Sequence, residues 1–310
     1  MKPRLVIAGG RGFLGGVLAE YFAAQGWEIV VLTRRPLRQS GSVRDVLWDG
    51  ETVGAWAREL EGARALVNLA GVTVNCRYHA RNRKRILDSR VNSTRVLGEA
   101  IASCANPPEV WLNSSTATIY THTHGPAWDE TGAIGSTREA KDEFSVEVAV
   151  AWERTFNAAQ MPRTRKLTLR SAMVLGTGGN SVFPVLRRLV RLGLGGSLAG
   201  GRQFVSWIHE RDFCRAIEWL IQRRDLSGIF NLAAPNPVTN AEMMRILREL
   251  CHVPFGLPAS LRMLECGAFF LRTETELVIK SRRVVPGRLL KEGFAFEHPR
   301  LRPAFQGLLK

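Results

Sequence analysis

A glycine-rich turn near the N-terminus restricts the possible folds of this chain most. Leu5–Ala8 is a short apolar run of strand length, and Phe13–Ala24 carries apolar residues at helical spacing. Between them the chain has glycines at 9, 12 and 15, in a Gly-x-x-Gly-x-x-Gly pattern. A strand, a glycine turn and a helix in this order are typical of a dinucleotide-binding unit. The alternative is a plain glycine turn without a ligand.

The glycines of this pattern have two predicted roles. Gly9 and Gly12 would let the backbone turn tightly and approach a pyrophosphate, and Gly15 would let the helix pack closely on the strand. The unpaired N–H groups and the dipole at the helix N-terminus favour an anion there. Phe13 and Leu14, in the first helical turn, are therefore predicted cofactor contacts as well.

Further buried-strand candidates alternate with helical patterns along the chain. They are residues 28–33, 65–70, 110–114, 166–175 and 229–233. Near-continuous apolar strands of this kind predict a parallel sheet covered on both faces. The predicted fold class is α/β, a Rossmann-type doubly wound sheet with a smaller, mostly helical C-terminal lobe on the substrate side.

The predicted domain boundaries follow from glycine, proline and helical patterns. Residues 1–176 would form the NADP-binding domain, completed by about 203–235. The glycine-rich segment 177–202 and residues 236–310, which are helical in pattern and punctuated by proline, would form the smaller lobe.

The end of the second strand candidate indicates which dinucleotide is bound. An NAD-specific protein places an acid about 20 residues after the glycines, to bind a ribose hydroxyl. This chain instead has Thr33, Arg34 and Arg35 at that point. Guanidinium groups match phosphate oxygens, so we predict NADP(H) as the cofactor. The alternative is that both arginines only lie on the surface before Pro36.

Composition excludes several other classes of protein. The chain has 310 residues, 45% of them hydrophobic, and contains no apolar stretch long enough to cross a membrane. Its five cysteines are scattered without CxxC spacing, which predicts no disulfide framework, no metal site and a reducing, cytoplasmic location. The net charge of +15 is spread over both halves without interleaved aromatic residues, so we expect no nucleic-acid partner.

Several motifs resemble one known protein family. They are Val67-Asn68-Leu69-Ala70-Gly71, Ser89-Arg90, Arg170-Ser171-Ala172-Met173-Val174-Leu175-Gly176, Gly201-Arg202-Gln203-Phe204-Val205-Ser206-Trp207-Ile208-His209 and Asn231-Leu232-Ala233-Ala234-Pro235-Asn236-Pro237. The chain resembles atypical extended short-chain dehydrogenases/reductases, the epimerase family proteins with a C-terminal domain of unknown function. Residues 285–290 and 293–296 look like that C-terminal domain.

The resemblance implies a Rossmann fold, bound NADP(H) and an unidentified substrate, such as a nucleotide-sugar. It places Thr33 and Arg34 at the 2'-phosphate, Leu69 and Ala70 along the ribose and diphosphate, and Arg90 near the phosphates. Gly71 and Val174, in the matching motifs, join the predicted cofactor contacts. Arg11 departs from the usual Gly-Thr-Gly centre and adds a cation.

The usual catalytic pair of the wider superfamily is missing. That pair is a tyrosine with a lysine four residues later, and none of the three tyrosines here has such a partner. Alignment on Trp152-Glu153 puts Ser145 and Ala149 at the two positions. Thr116 matches the substrate-polarising hydroxyl, and Tyr120 would be the only phenol near the nicotinamide. The two are our predicted catalytic residues, with packing as the alternative for Tyr120.

Two function classes remain open on the sequence alone. The first is an NADP(H)-dependent oxidoreductase or epimerase with an altered acid/base, in which Gln203 and Trp207 contact a small-molecule substrate. The second is a non-catalytic NADP(H)-binding sensor that reports redox state to a partner. A homodimer is possible in either class. Lys141 and His209 are interpreted as a surface lysine and as a histidine that structures the Trp207-Ile208-His209 turn.

Overall fold

The computed structural model describes residues 2–36, 41–265 and 274–310. Cys266, one of the five scattered cysteines, lies outside these residues. Seven parallel strands form the main sheet in the order β10-β6-β5-β4-β1-β2-β3. Their bounds are β1 Arg4–Ala8, β2 Glu28–Thr33, β3 Val43–Leu47, β4 Ala65–Asn68, β5 Val110–Thr116, β6 Arg165–Ser171 and β10 Gly228–Leu232. The predicted parallel α/β sheet is confirmed.

Helices cover both faces of this sheet and build the second lobe. They are α1 Phe13–Ala24, α2 Ala80–Ala102, α3 Glu143–Ala158, α4 Val182–Arg191, α5 Glu210–Gln222, α6 Asn240–Leu250, α7 Glu276–Ile279, α8 Gly287–Lys291 and α9 Leu301–Leu309. Two short 3-10 helices span Ala55–Leu60 and Ala117–Ile119. Short pairs of strands link the lobes: β7 Met173–Leu175 with β9 Trp207–His209, and β8 Phe204–Val205 with β11 Val238–Thr239.

Alternate side chains of the buried strands contribute to two apolar cores, because successive residues of a strand point to opposite faces of the sheet. Leu5 and Ile7 of β1 pack with α1 and α5 on one face. Val6 and Ala8 pack with α2 on the other. Burial on both faces of the sheet explains why the sequences of these strands are continuous apolar runs.

The C-terminal lobe has its own core, formed by α4, α6 and α9. Phe183, Val190, Met243, Leu247 and Phe305 are buried together there. Trp207 belongs to the same core, and residues 207–209 form a strand rather than the predicted turn.

The predicted lobe boundary needs one correction. Residues 236–310 do not all belong to the second lobe, because Leu289 of α8 and Phe294 pack into the core of the main sheet. The sequence pattern showed helices here but not which core their apolar side chains would join.

Side chains cap the free edge of β10. Glu130 Oε1 accepts the Asn231 N–H at 2.9 Å, and Arg288 Nη1 donates to the Ile229 carbonyl at 2.7 Å. Glu130 Oε2 also accepts the Arg288 N–H at 2.9 Å. These groups occupy backbone positions to which another strand would bind.

None of the helices in the described part of the chain combines the length and apolar character needed to cross a membrane.

Candidate functional site

The glycine turn between β1 and α1 has the predicted close contacts. Gly9 has a φ of +78°, and a Cβ atom there would lie 2.8 Å from the Ala70 backbone. A Cβ at Gly15 would lie 2.3 Å from Gly10 Cα. Both glycines are therefore required by the fold itself, Gly9 by its backbone conformation and Gly15 by the close helix-strand packing.

Gly12 differs from the other two glycines of the pattern. It is the N-cap of α1, has an ordinary φ of −77° and provides no side-chain cap. A Cβ at Gly12 would meet only Gly9 O, at 3.7 Å. The space in front of the first helical turn is therefore open, and its N–H groups can receive an anion. The turn fits the pyrophosphate of a dinucleotide.

The other predicted cofactor residues meet at the same edge of the sheet. The β4 loop places Leu69 and Ala70 against Gly9, and a Cβ at Gly71 would lie 3.1 Å from Arg90 Cζ. Arg90 Nη1 donates to the Ile86 carbonyl at 3.0 Å, and burial lowers the pKa of Arg90 to about 10. The guanidinium thus remains a fixed cation at neutral pH.

The side chains of Phe13, Leu14 and Val174 make packing contacts. Leu14 and Val174 pack against the main core, and a Cβ at Gly178 would meet the Phe13 ring at 2.7 Å. The Phe13 ring therefore packs against the loop that follows β7.

The end of β2 presents two exposed arginines. Thr33 is buried and its Oγ1 accepts the Arg35 N–H at 3.3 Å, whereas Arg34 and Arg35 are exposed. Arg11, the extra cation of the glycine turn, pairs with Asp45 of β3 at 2.5 Å. Among the described residues at this strand end, Arg34 and Arg35 are exposed, and their role at a 2'-phosphate stays a prediction.

The two predicted catalytic residues have different surroundings. Thr116 ends β5 and is half-buried, and its Oγ1 accepts the Thr118 N–H at 3.1 Å. Tyr120 is 1% exposed, donates to Asn231 Oδ1 at 2.8 Å and accepts from Arg170 Nη1 at 2.9 Å. Burial raises the pKa of Tyr120. This geometry supports the packing alternative for Tyr120, while the role of Thr116 stays a prediction.

The two predicted substrate contacts lie inside the protein. Gln203 is buried and its Nε2 donates to the carbonyls of Leu198, at 2.9 Å, and Val278, at 3.2 Å. Trp207 is buried in the C-terminal lobe and donates to the Asn236 carbonyl at 3.2 Å. Both residues therefore make structural contacts with backbone carbonyls. They were selected because glycines precede them, and those glycines belong to turns within the lobe.

A cavity of about 670 Å³ lies beside the N-terminus of α3. Its lining includes Tyr78, Arg83, Lys141, Phe144 and Glu276. Two of these, Tyr78 and Glu276, make contact, since the Tyr78 hydroxyl donates to Glu276 Oε1 at 3.3 Å. Ser145 of α3 donates to the same oxygen. Neither the cavity nor the contacts of Glu276 were predicted from the sequence.

One group of side chains in the described residues has the spacing of metal ligands, with ligand atoms of His122, His124 and Glu139 within 4.8 Å of one another. The Ser281 N–H donates to His122 Nδ1 at 3.0 Å, so Nε2 carries the proton of the neutral ring. That Nε2 lies 3.6 Å from Glu139 Oε1. A metal needs a free nitrogen lone pair, so this geometry favours a histidine–carboxylate contact over a metal site.

Comparison with protein families decides what kind of protein this is. The model of the NAD dependent epimerase/dehydratase family matches residues 5–233. The chain belongs to the NAD dependent epimerase/dehydratase family. A domain of unknown function, DUF1731, matches residues 261–308. The resemblance predicted from the motifs is confirmed.

Individual relatives match over nearly the whole chain. Epimerase family protein SDR39U1 of Bos taurus is 31% identical, over 99% of both chains. Epimerase family protein Mb2239 of Mycobacterium bovis is 30% identical over 95% of this chain and 93% of its own. The crystal structure of human SDR39U1 with NADPH has a TM-score of 0.85 and 27% identity, over 98% of both chains. UDP-N-acetylglucosamine 4-epimerase of Bacillus cereus, at 18% identity and a TM-score of 0.75, shares the fold.

Within this epimerase/dehydratase chain, the usual tyrosine and lysine positions have unusual surroundings. Ala149 is buried in an apolar cluster with Ala117, Ile119 and Tyr120, so no ammonium is present there. Ser145 is half-buried and contacts Glu276, 131 positions away. Sequence patterns offered no signal for this contact. Tyr78 could have been considered, since it is one of only three tyrosines.

Proposed function

We propose that this chain binds NADP(H) and acts as an NADP(H)-dependent oxidoreductase or epimerase on a carbonyl or nucleotide-sugar substrate. The observation that carries the proposal is the open cradle at Gly12, where the first turn of α1 faces outward without a side-chain cap. The NADPH bound to human SDR39U1 supports the choice of cofactor.

The residues around the cradle suit the phosphorylated cofactor. Gly12 and the α1 N-terminus would hold the diphosphate, and Arg34 and Arg35 would hold the 2'-phosphate. Leu69 and Ala70, beside Gly9, would border the ribose. When bound, NADP(H) would supply or accept a hydride.

A second function, the non-catalytic sensor, is favoured by a specific observation. The tyrosine–lysine pair is missing, and the Tyr120 hydroxyl is enclosed by Arg170 and Asn231. Turnover separates the two functions. Oxidation of NADPH with phenanthrenequinone, nitrobenzaldehyde and cyclohexanone, and reduction of NADP⁺ with UDP-glucose, should be followed by absorbance. Epimerisation of UDP-glucose causes no net change in the cofactor and should be followed by chromatography of the sugar product. Turnover supports the enzyme, whereas NADPH binding without any turnover supports the sensor.

Replacing Arg34 by Asp tests the cofactor specificity. We expect the wild type to bind NADPH more tightly than NADH, and the variant to lose this preference or reverse it. A charge-assisted hydrogen bond contributes about 1.5–3 kcal/mol, so the ratio of affinities should change by about tenfold or more. Isothermal titration calorimetry measures both dissociation constants.

Arg154→Asp is the matched control, since Arg154 is exposed on α3 and the substitution changes the net charge equally. It should leave the ratio of affinities unchanged. Equal affinities of the wild type for NADPH and NADH would refute the proposed role of the arginines.

A further inference from the structure

Ser145 occupies the position that alignment assigns to the superfamily's tyrosine, and a buried carboxyl group lies behind it. Ser145 is half-buried on α3, and its hydroxyl donates to Glu276 Oε1. Glu276 belongs to α7, within the region that matches DUF1731. The C-terminal domain therefore provides an ionisable group at the point where the fold usually keeps its phenol.

The surroundings of Glu276 leave one of its oxygens without a partner. The side chain is 3% exposed, and Oε1 receives the hydroxyls of Ser145 and Tyr78. Among the described residues, Oε2 is buried without a hydrogen-bond partner. A buried carboxylate oxygen without a donor is costly, whereas a protonated carboxyl group removes part of that cost.

Charged groups around Glu276 act in opposite directions. Burial has the largest effect and raises the pKa of Glu276, and Asp142 adds to it. The Ser145 and Tyr78 hydrogen bonds and the charge of Arg282 lower it, but the net pKa lies above the ordinary value. Asp142 forms a buried ion pair with Lys280. Glu276 can therefore exchange a proton closer to neutral pH than an ordinary glutamate.

The adjoining cavity has room for a ligand. Its volume of about 670 Å³ lies within the range of roughly 300–1,000 Å³ typical of small-molecule sites. Glu276 and Tyr78 line it, together with the cations Arg83 and Lys141. The Tyr78 hydroxyl donates to Glu276 Oε1, and burial and the nearby Glu276 raise the pKa of Tyr78 well above the ordinary value.

We propose that Ser145 and Glu276 form a proton relay that replaces the tyrosine–lysine pair in the reduction of a carbonyl substrate. This inference rests on the proposed NADP(H)-dependent function. The geometry that carries it is the hydrogen bond from the half-buried Ser145 hydroxyl to the carboxyl group of Glu276, a residue that lines the ligand-sized cavity.

The relay is balanced in protons and electrons. Bound NADPH would supply the hydride for the new C–H bond and would become NADP⁺. The electron pair of the C=O π bond moves to the substrate oxygen, which takes the proton of the Ser145 hydroxyl. For this step the Ser145 hydroxyl turns from Glu276 Oε1 to the substrate oxygen, and its Oγ accepts the carboxyl proton from Glu276 Oε1 at the same time. Glu276 is left as a carboxylate near Arg282 and regains a proton from solvent through the cavity.

Glu276→Gln tests the relay while keeping the shape of the side chain. With phenanthrenequinone, nitrobenzaldehyde and cyclohexanone as probes, we expect kcat to fall by about 10²-fold and the NADPH dissociation constant to stay within about twofold of the wild type. Ser145→Ala should lose a similar factor, and Ser145→Thr, which keeps a hydroxyl, should regain most of it. The double variant should be no slower than the worse single variant, since both act in one step.

The pH profile gives the second readout. The protonated form of Glu276 is the active form, so the wild-type rate should fall as pH rises through the pKa of Glu276, and this fall should be absent in Glu276→Gln. Glu147→Gln, which changes an exposed carboxylate on α3, the helix of Ser145, is the control that should keep the wild-type profile. Thermal melting should confirm that all variants are folded.

Infrared spectroscopy tests the ionisation of Glu276 without turnover. A carboxylic-acid C=O band should titrate above the ordinary glutamate pKa of about 4.3 and be absent in Glu276→Gln. If the wild type shows no such band, the relay is overturned. If the wild type turns over but Glu276→Gln is equally fast, the relay alone is wrong. If the wild type reduces none of the probes, the relay fails, whereas reduction of NADP⁺ with UDP-glucose would still support the proposed function.

Discussion

Single glycines in the turn after β1 separate ligand binding from folding. Gly12→Ala adds a methyl group to open space, since its nearest neighbour would be Gly9 O at 3.7 Å. We expect an unchanged melting temperature without cofactor but at least about tenfold weaker NADPH binding, because the methyl group occupies the approach of the pyrophosphate. Thermal melting and calorimetry provide the two measurements.

Gly15→Ala is the matched comparison, because its Cβ would lie 2.3 Å from Gly10 Cα. This variant should lose about 1–3 kcal/mol of unfolding free energy even without cofactor. If Gly12→Ala lowers the stability of the free protein as much as Gly15→Ala does, the turn has a structural role only.

The same residues show what sequence could predict. The glycine pattern was informative because Gly9 and Gly15 meet local backbone requirements and Gly12 leaves space for a ligand. These features repeat wherever a strand, turn and helix bind a dinucleotide. Tyr120 and Gln203 were selected from neighbouring motifs, but their burial depends on segments distant in sequence. Glu276 and Ser145 meet only through the tertiary fold, so no local pattern indicated their contact.

The N-cap of α5 is His209, and the stability of the folded protein depends on its ring being uncharged. His209 Nδ1 accepts the Arg211 N–H at 3.1 Å, and its ring stacks on His298 at 3.9 Å. Burial, followed by the charge of His298, lowers the pKa of His209 to about 4. Between the ordinary pKa of about 6.5 and this value, the unfolded chain binds a proton that the folded chain does not. Stability should therefore fall as pH falls through this window.

His209→Asn keeps a side-chain oxygen that can cap α5 but cannot take up the proton. We expect the variant's unfolding free energy to depend less on pH, by up to about 1.4 kcal/mol per pH unit within the window. Urea unfolding at several pH values measures this slope. His252→Asn, at an exposed position with a φ of +56° that asparagine tolerates, should retain the wild-type slope. An unchanged slope in His209→Asn would exclude His209 as its source.

At the scale of the whole molecule, residues 287–294 join the end of the described chain to the main sheet. Leu289 is fully buried in the sheet core, whereas its neighbour Leu290 is 47% exposed. Leu289→Ala should lower the unfolding free energy by about 2–5 kcal/mol, because it leaves a cavity between α8 and β10. Leu290→Ala should cost far less. Urea unfolding of the pair measures the difference, and equal losses would mean that α8 does not stabilise the sheet.

The whole fold class was predictable because strand periodicity and connection order leave few arrangements for alternating strands and helices. The correction at residues 287–294 shows the limit of that reasoning. An amphipathic pattern indicates that one face of a segment will be buried. The core against which that face packs depends on the path of the chain in the tertiary fold.

The capped edge of β10 has a consequence for how the protein is made. Glu130 leaves the ribosome before β10, whereas Arg288 emerges about 60 residues after the Ile229 carbonyl that it binds. A growing chain therefore holds an edge strand with only half of its protection while the C-terminal segment is still being synthesised. Exposed edges of this kind pair readily with other chains. Until Arg288 arrives, the edge of β10 is therefore more open to pairing with other chains than it is in the finished protein.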